Sequence, residues 1–364
     1  MTTQLTFTTT ESDWIPPVEY PDLTDRSMIA IDLETRDPNI KIKGPGWATN
    51  DGEIVGIAVA ADGFKGYFPM AHEAGGNLDP AMTMKWYANL MASNADKICH
   101  NAAYDIGWTK AAGIKVNGRI IDTMIAGAVI DENRRGYSLN ALSASYLGEI
   151  KSEIKLKEKA EEWGLDAKAD LWRLPSSFVG EYAEQDAELT LKLWRKFETE
   201  IRLNNLTSIF NLEIELLPIL IEMREHGIRM DMEKAGKLKI DFVNEEKKKL
   251  NEIKKLSGQD VELWAAASVA KAFDALNIPY DRTEKTQTPS FTSNWLVNCP
   301  HPLAKLIREA REMNKFHSTF IDSIFKFEHK GRIHAEINQL KSDSGGTVSG
   351  RLSMSNPNLQ QVPA

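Results

Sequence analysis

The sequence predicts a mixed α/β layer domain over roughly residues 25–205, followed by a mainly α-helical region. Three observations carry that prediction. Residues 28–70 hold three strand-like runs in succession, punctuated by the turn pairs Asp51-Gly52 and Asp62-Gly63. From residue 80 to 205, helical and strand-like patterns alternate, as expected for a sheet covered by helices. From residue 207 onward, long amphipathic helical stretches dominate.

Taken in order, residues 1–24 form an N-terminal extension; its opening, "MTTQLTFTTTESDW", is Thr-rich and expected to be loose. "MIAIDLE", "EIVGIAVAAD" (53–62) and "FKGYFPM" (64–70) are apolar or alternating runs that predict a strand meander. Residues 80–93 read as a helix, and "DKICHN" (96–101) as a short strand. "AAYDIGWTKAAG" follows as a helix ending at Gly113. "RIIDTMIAGAVID" reads as a strand or apolar turn leading into a helix, and "SLNALSASYLG" as a helix capped by Ser138. Residues 177–205 form one long helical pattern. In the region 206–330, an apolar stripe over 208–226 ends at Gly227, and "IRMD" makes a short turn or strand. A lysine-rich amphipathic helix follows, and 301–327 is again helical. In the last region, 331–364, "GRIHAEINQL" (331–340) alternates as a strand, and the remainder is polar and turn-rich. No internal repeat or long low-complexity segment is present.

Composition limits the function classes. No apolar run is long enough to span a membrane, and the N-terminus has neither the basic nor the apolar part of a signal peptide, so a cytoplasmic location is expected. Cys99 and Cys299 have no motif spacing and read as reduced thiols. The net charge of -8 argues against a simple nucleic-acid binder. The charge is uneven, however: residues 1–200 carry 31 acidic and 21 basic side chains, and residues 201–364 carry 21 and 23. Acidic character does not exclude a nucleic acid where metal ions bridge carboxylate and phosphate.

Three acidic clusters carry the chemistry. Asp32 and Glu34 end the first strand, two positions apart, and so share a face. Adjacent carboxylates are tolerable when a divalent cation neutralises them, although a D-x-E pair also recurs by chance at solvated strand ends. Asn101 and Asp105 lie four residues apart, on one face if both are helical; a capping Asn beside an exposed Asp is the alternative. Its neighbour His100 reads as a local hydrogen-bonding side chain. Tyr182 and Asp186 repeat the four-residue spacing on the long helix, where a core tyrosine beside a solvated Asp is the alternative.

The three clusters in this order, D-x-E, N-x-x-x-D and Y-x-x-x-D, together with "IVGIAVA…GYFPMAH" and "IIDTMIAGAVID…YSLNALSASYLG" between them, resemble the 3′–5′ exonuclease domain of family A DNA polymerases. The resemblance covers about residues 25–205 and implies a ribonuclease H-like fold with a DEDD-plus-tyrosine site. It implies two Mg²⁺ ions, with Mn²⁺ suiting the same oxygen-rich set, and hydrolysis of the 3′-terminal phosphodiester of DNA by an in-line displacement. In that scheme Asp32 bridges both ions, and Glu34 and Asp186 complete the tighter site. Asp105 holds the second ion partly through water, and Tyr182 orients the attacking water. Thr35 and Asn101 become candidate contacts to the 3′ end.

Residues 207–364 resemble the same family from the thumb onward. "REMNKFHSTFIDSI" is similar to the thumb helix that grips the duplex backbone, which makes Lys315, Ser318 and Thr319 candidate phosphate contacts. "GRIHAEINQLKSDSGGTVSGRLSMSNPNLQQVPA" is similar to a primer–template segment near the polymerase site. By that resemblance Arg351 is a candidate minor-groove contact, and Asn358 and Gln360 are further DNA contacts. Ser349 and Met354 depart mildly from the family pattern. No palm or fingers text follows Ala364. The expectation is therefore a phage-like polymerase portion with exonuclease activity, whose partners are a single-stranded 3′ end or primer–template and a second chain carrying palm and fingers. The alternative is a non-catalytic DNA-holding subunit of a split polymerase.

Overall fold

A computed structural model describes residues 11–342 and 345–362. These fall into two compact units: the chain through Gly227 together with His334–Gln361, and Ile228–Ile333 together with the C-terminal end.

The first unit is built on a five-stranded sheet. β1 (Met28–Arg36) is followed by the short helices α1 (Ile40–Lys43) and α2 (Gly46–Thr49), then by β2 (Glu53–Ala61) and β3 (Phe64–Pro69). β1 pairs antiparallel with β2, and β2 with β3, as the turn pairs predicted. α3 (Pro80–Ala92) starts cleanly because the Asp79 carboxylate accepts from the Met82 amide and Pro80 occupies the first turn. β4 (Asp96–Cys99) then lies parallel to β1 on its other side, and β5 (Ile120–Asp122) lies parallel to β4, giving the order β3-β2-β1-β4-β5. β1 is thus central and flanked by one antiparallel and one parallel neighbour.

Helices cover this mixed sheet. α4 (Ala102–Ala111) and α5 (Thr123–Ile130) bracket β5; α6 (Leu139–Tyr146), α7 (Ile154–Glu162), α8 (Ser176–Leu203) and α9 (Thr207–His226) follow. Ser138 caps α6 by accepting from the Ala141 amide, as expected. α8 buries Val179, Ala183, Asp186, Ala187, Thr190, Leu193, Trp194, Phe197 and Ile201, a stripe at helical spacing. It lies against β1, β2 and β3. α9, placed by the sequence in the 206–330 region, belongs to the first unit, and its Phe210 stacks on Trp194 at 5.3 Å.

The second unit has β6 (Ile228–Arg229), α10 (Met232–Ser257), α11 (Ala266–Asp274), β7 (Asp281–Arg282), β8 (Pro289–Ser290), α12 (Ser293–Asn298), α13 (Pro302–Lys315), α14 (Asp322–Phe327), β9 (Glu328–His329) and β10 (Arg332–Ile333). α10 packs along α13, and a core of Ile253, Leu263, Phe273, Phe291, Leu303 and Ile307 sits beneath them. Arg311 fastens that core by donating to the Leu263 and Phe291 carbonyls, both at 2.8 Å. The predicted 301–327 helix is continuous but passes through a wider π turn at Phe316–Ile321 before α14.

Two expectations need correction. "GRIHAEINQL" is not one strand. β10 pairs with β6 and β9, whereas β11 (Glu336–Asn338) pairs with β12 (Ser353–Ser355) in a different sheet. The break falls at His334–Ala335, where the His334 ring bonds the Arg224 carbonyl at 2.7 Å, so local tertiary bonding interrupts an alternating pattern. The N-terminal stretch is not loose throughout. Its first ten residues lie outside the described ones, but Trp14 donates to Glu184 at 2.9 Å and its ring lies over Gly180. A Cβ on Gly180 would fall 2.0 Å from that ring, so only glycine admits this packing.

Candidate active site

β1 delivers Asp32 and Glu34 to one face of the sheet, as the strand alternation requires. They stand opposite Ala58 and Gly56 of β2, with a bulge between Glu34 and Thr35. Small partners on β2 leave room on this face. At Gly56 the room is taken by Tyr67, whose hydroxyl oxygen would lie 2.1 Å from an added Cβ. The same hydroxyl meets the His72 ring at 2.7 Å, and the other ring nitrogen of His72 meets the Leu174 carbonyl at 2.9 Å.

α4 delivers Asp105. Its carboxylate accepts from the Leu33 amide at 3.0 Å, which ties the helix to β1 between the two strand carboxylates. The start of α4 is fixed by Asp122 at the end of β5, which accepts from the Asn101 and Ala102 amides at 3.1 and 2.8 Å. Asp122 simultaneously caps α5 through the Met124 and Ile125 amides. One buried carboxylate therefore organises two helix N-termini, and nothing in the sequence pattern singled it out. Asn101 precedes α4 in a left-handed conformation with φ 67° and makes no side-chain cap bond. The i,i+4 relation to Asp105 on one helical face therefore does not hold. The Asn101 side chain instead borders a small cavity of about 90 Å³ lined also by Asp122, Arg224 and Lys341.

α8 delivers Tyr182 and Asp186 one turn apart. The group that meets them is one the sequence reading missed. Lys151, between α6 and α7, places its ammonium 2.8 Å from Asp186 Oδ2 and 3.3 Å from the Tyr182 hydroxyl. It lies 4.5 Å from the centre of the Tyr182 ring and 3.4 Å from Glu153. No periodicity marks this lysine; it is one of several in "KSEIKLKEKAEE".

The electrostatics follow from crowding buried and half-buried acids together. Burial, and then the neighbouring Asp186 charge, pushes the Asp32 carboxyl up to about 7. Burial and the Asp32 and Asp186 charges raise Glu34. Asp105 is raised by burial and Asp32, against the pull of the Leu33 amide. Burial raises Asp186 despite its ion pair, and the Tyr182 phenol is raised by burial and then by Asp186. Lys151 is held above the ordinary lysine value because Asp186, Glu153 and Asp32 outweigh its burial.

Among the described residues, no three acidic, histidine or cysteine side chains form a group that could hold a metal ion. The four carboxylates are electrostatic neighbours without forming a closed cage. The donor set still suits a hard divalent cation, because it is all oxygen, with Asp105 and Asp186 buried and Asp32 and Glu34 half-buried. Moreover, Asp186 Oδ1 is buried with no hydrogen-bond partner, although the Tyr182 hydroxyl lies near enough to this carboxylate to affect its protonation.

The other sequence candidates are distributed as follows. The Thr35 hydroxyl meets Tyr104 at 2.6 Å, and Tyr104 donates to Asp37 at 3.1 Å. Lys315, Ser318 and Thr319 are exposed at the end of α13 and in the π turn, where Ser318 bonds back to the Asn314 carbonyl. Arg351 and Asn358 are exposed. Gln360 spends both ends of its amide on its own loop, accepting from the Met354 amide at 3.0 Å and donating to the Leu352 carbonyl at 3.1 Å. His100 bonds Thr123 at 2.8 Å, consistent with a local role. Cys99 and Cys299 are free thiols.

Residues 22–202 match the family model described as 3′–5′ exonuclease, and residues 232–364 match that of DNA polymerase family A. The chain belongs to DNA polymerase family A. A DNA-directed DNA polymerase of Pseudomonas phage M6 is 34% identical to it, over 98% of this chain and 56% of the relative. A DNA polymerase DpoZ of Salmonella phage PMBT28 is 31% identical, over 95% of this chain and 57% of the relative. DNA polymerase I of Pseudomonas aeruginosa is 26% identical, over 94% and 37%. The chain thus spans about half the length of the phage relatives. The polymerase domain of Pol1 from M. smegmatis, solved with primer-template DNA and dNTP, shares the fold. Its TM-score is 0.72 at 20% identity, over 94% of this chain and 53% of that one. This family A chain therefore carries a 3′–5′ exonuclease domain of α/β fold followed by part of a polymerase domain, and it is phage-like by its relatives. Among the described residues, no helix is long and apolar enough to cross a membrane.

Proposed function

We propose that the first unit is a divalent-metal-dependent exonuclease that removes the 3′-terminal nucleotide of DNA, a proofreading activity of its polymerase. The observation that supports this reading is the convergence of Asp32, Glu34, Asp105, Tyr182 and Asp186 from three separate elements into one partly buried cluster, in which neighbouring carboxylates raise one another's affinity for protons. Two bound Mg²⁺ ions would supply an acidified water and charge stabilisation for the in-line displacement. Asp32, central to the cluster, would be shared by both ions. Glu34 and Asp186 would hold one of them and Asp105 the other. The Tyr182 hydroxyl stands one turn from Asp186 and would orient the attacking water by a hydrogen bond. The Leu33–Asp105 bond keeps helix and strand in fixed relation while the substrate exchanges. Thr35 and Asn101, at the ends of β1 and at the start of α4, would border the 3′ end.

Residues 232–364 would grip the primer–template for nucleotide addition. Lys315, Ser318 and Thr319 supply exposed groups suited to phosphate, and Arg351 and Asn358 to the groove. Gln360 must release its loop bonds to join them. Palm and fingers would come from the remainder of the polymerase, on the same or on a second chain, in the host cytoplasm.

The test is digestion of a 3′-labelled single strand with Mg²⁺. Asp32→Ala should lower the rate at least about 10³-fold, the equivalent of about 4 kcal/mol of transition-state stabilisation. Equal rates, or no wild-type digestion with Mg²⁺ or Mn²⁺, overturn the reading. The Lys151–Asp186 ion pair favours a second reading, a DNA-holding subunit without hydrolysis. It predicts DNA binding with no metal-dependent cleavage in the same assay.

A further inference from the structure

One ammonium group enters the acidic cluster, and it enters at the edge the chemistry needs. Lys151 and Asp186 are both largely buried, with side chains 9% and 6% exposed. The lysine engages Asp186 Oδ2 and the Tyr182 hydroxyl while resting on the face of the Tyr182 ring. Those are the groups assigned above to the cation and to the attacking water. Buried carboxylates without a countercharge are costly, so in the metal-free protein one positive charge beside them is stabilising. A lysine is suited to a temporary post: its ammonium is a point charge on a flexible stem, without the fixed fork of arginine. A second post lies nearby. Glu153 is 3.4 Å from the same ammonium, and Lys157 and Lys168 hold it in place at 2.7 and 3.8 Å.

We propose that Lys151 is a resident counter-ion that competes with the divalent cation for Asp186 and withdraws onto Glu153 when the cation binds. This rests on the reading of the four carboxylates as the metal-holding set. The exchange keeps the acidic cluster partly compensated in the absence of metal. It also lowers cation affinity, and it frees the Tyr182 hydroxyl only once the site is loaded. The Asp186 oxygen that has no partner is the one from which a cation can begin the exchange while the lysine still holds the other.

The experiment is Mn²⁺ binding to the full chain without DNA, followed by electron paramagnetic resonance, with thermal melting in EDTA alongside. Lys151→Met should bind Mn²⁺ roughly 10-fold more tightly, a change of one decade for the loss of one competing ion pair. It should also melt at a lower temperature than wild type in EDTA. Lys151→Arg keeps a charge and should bind Mn²⁺ no more tightly than wild type. Glu153→Gln removes the second post and should weaken Mn²⁺ binding several-fold. If wild type binds Mn²⁺ but Lys151→Met binds equally or more weakly, the counter-ion role is wrong. If Lys151→Met does not fold, unchanged or tighter binding by Glu153→Gln overturns it instead. If wild type shows no saturable Mn²⁺ binding, the metal reading of the carboxylates falls, and this inference with it.

Discussion

Replacing Asp122 by alanine should destabilise the exonuclease unit by removing the caps of two helices at once. The carboxylate accepts four backbone amides: Asn101 at 3.1 Å, Ala102 at 2.8 Å, Met124 at 2.8 Å and Ile125 at 3.4 Å. Two belong to the start of α4 and two to the start of α5, so the substitution removes two caps at once. Each lost cap costs about 0.5–2 kcal/mol, and burial of the freed amides puts this site toward the upper end, giving about 2–4 kcal/mol. For a unit of this size a kilocalorie shifts the melting point by about 2–4 °C, so the expected fall is roughly 4–16 °C. Asp122→Asn should lose less, because one oxygen can still serve three amides while the new NH₂ opposes the Ala102 amide. Melting followed by circular dichroism checks the order wild type, Asn, Ala. Exonuclease rate below the melting range should fall as well, since α4 carries Asp105. A melting point for Asp122→Ala within 1 °C of wild type, outside any fitted error, would refute the double-cap argument.

Two further outcomes are expected. His72 is buried between Tyr67 and the Leu174 carbonyl, and burial pushes its imidazole down to about 4. The unfolded chain takes up this proton near the ordinary value of about 6.5, so the stability is fully present above that pH and is lost as pH falls toward 4. The loss attributable to this group is about 3 kcal/mol, and His72→Gln should show a correspondingly flatter decline in denaturant unfolding between pH 7 and 4.5; parallel declines would contradict this. Gly180→Ala should force the Trp14 ring off α8, cost about 1–3 kcal/mol and expose residues 11–17 to limited proteolysis. Unchanged protection of that segment would show that the ring packs elsewhere.

Much of the site was legible in the sequence because its residues sit in strongly patterned segments. Asp32 and Glu34 end an apolar run, so their common face follows from strand geometry alone. Tyr182 and Asp186 lie within a long helical stripe, so their proximity follows from the helical repeat. Ser138 was recognisable as a cap because capping is a local bond. Asn101 misled because its spacing to Asp105 is helical, whereas its backbone is left-handed at the turn that Asp122 imposes.

The sequence by itself marked β1 to β5, α3 to α6, α8 and α9 of the first unit and which acidic residues are candidates, but not α1, α2, α7 or β12. Both depend on side-chain periods spanning a few residues. Only the tertiary structure decided that β4 lies parallel against β1 and that 331–340 divides between two sheets. It alone brought Lys151 from an unpatterned connection to within 2.8 Å of Asp186, 35 residues along the chain. Those outcomes come from pairings between distant segments. Their energies depend on burial and on the charges already gathered at the site, and no local pattern records either.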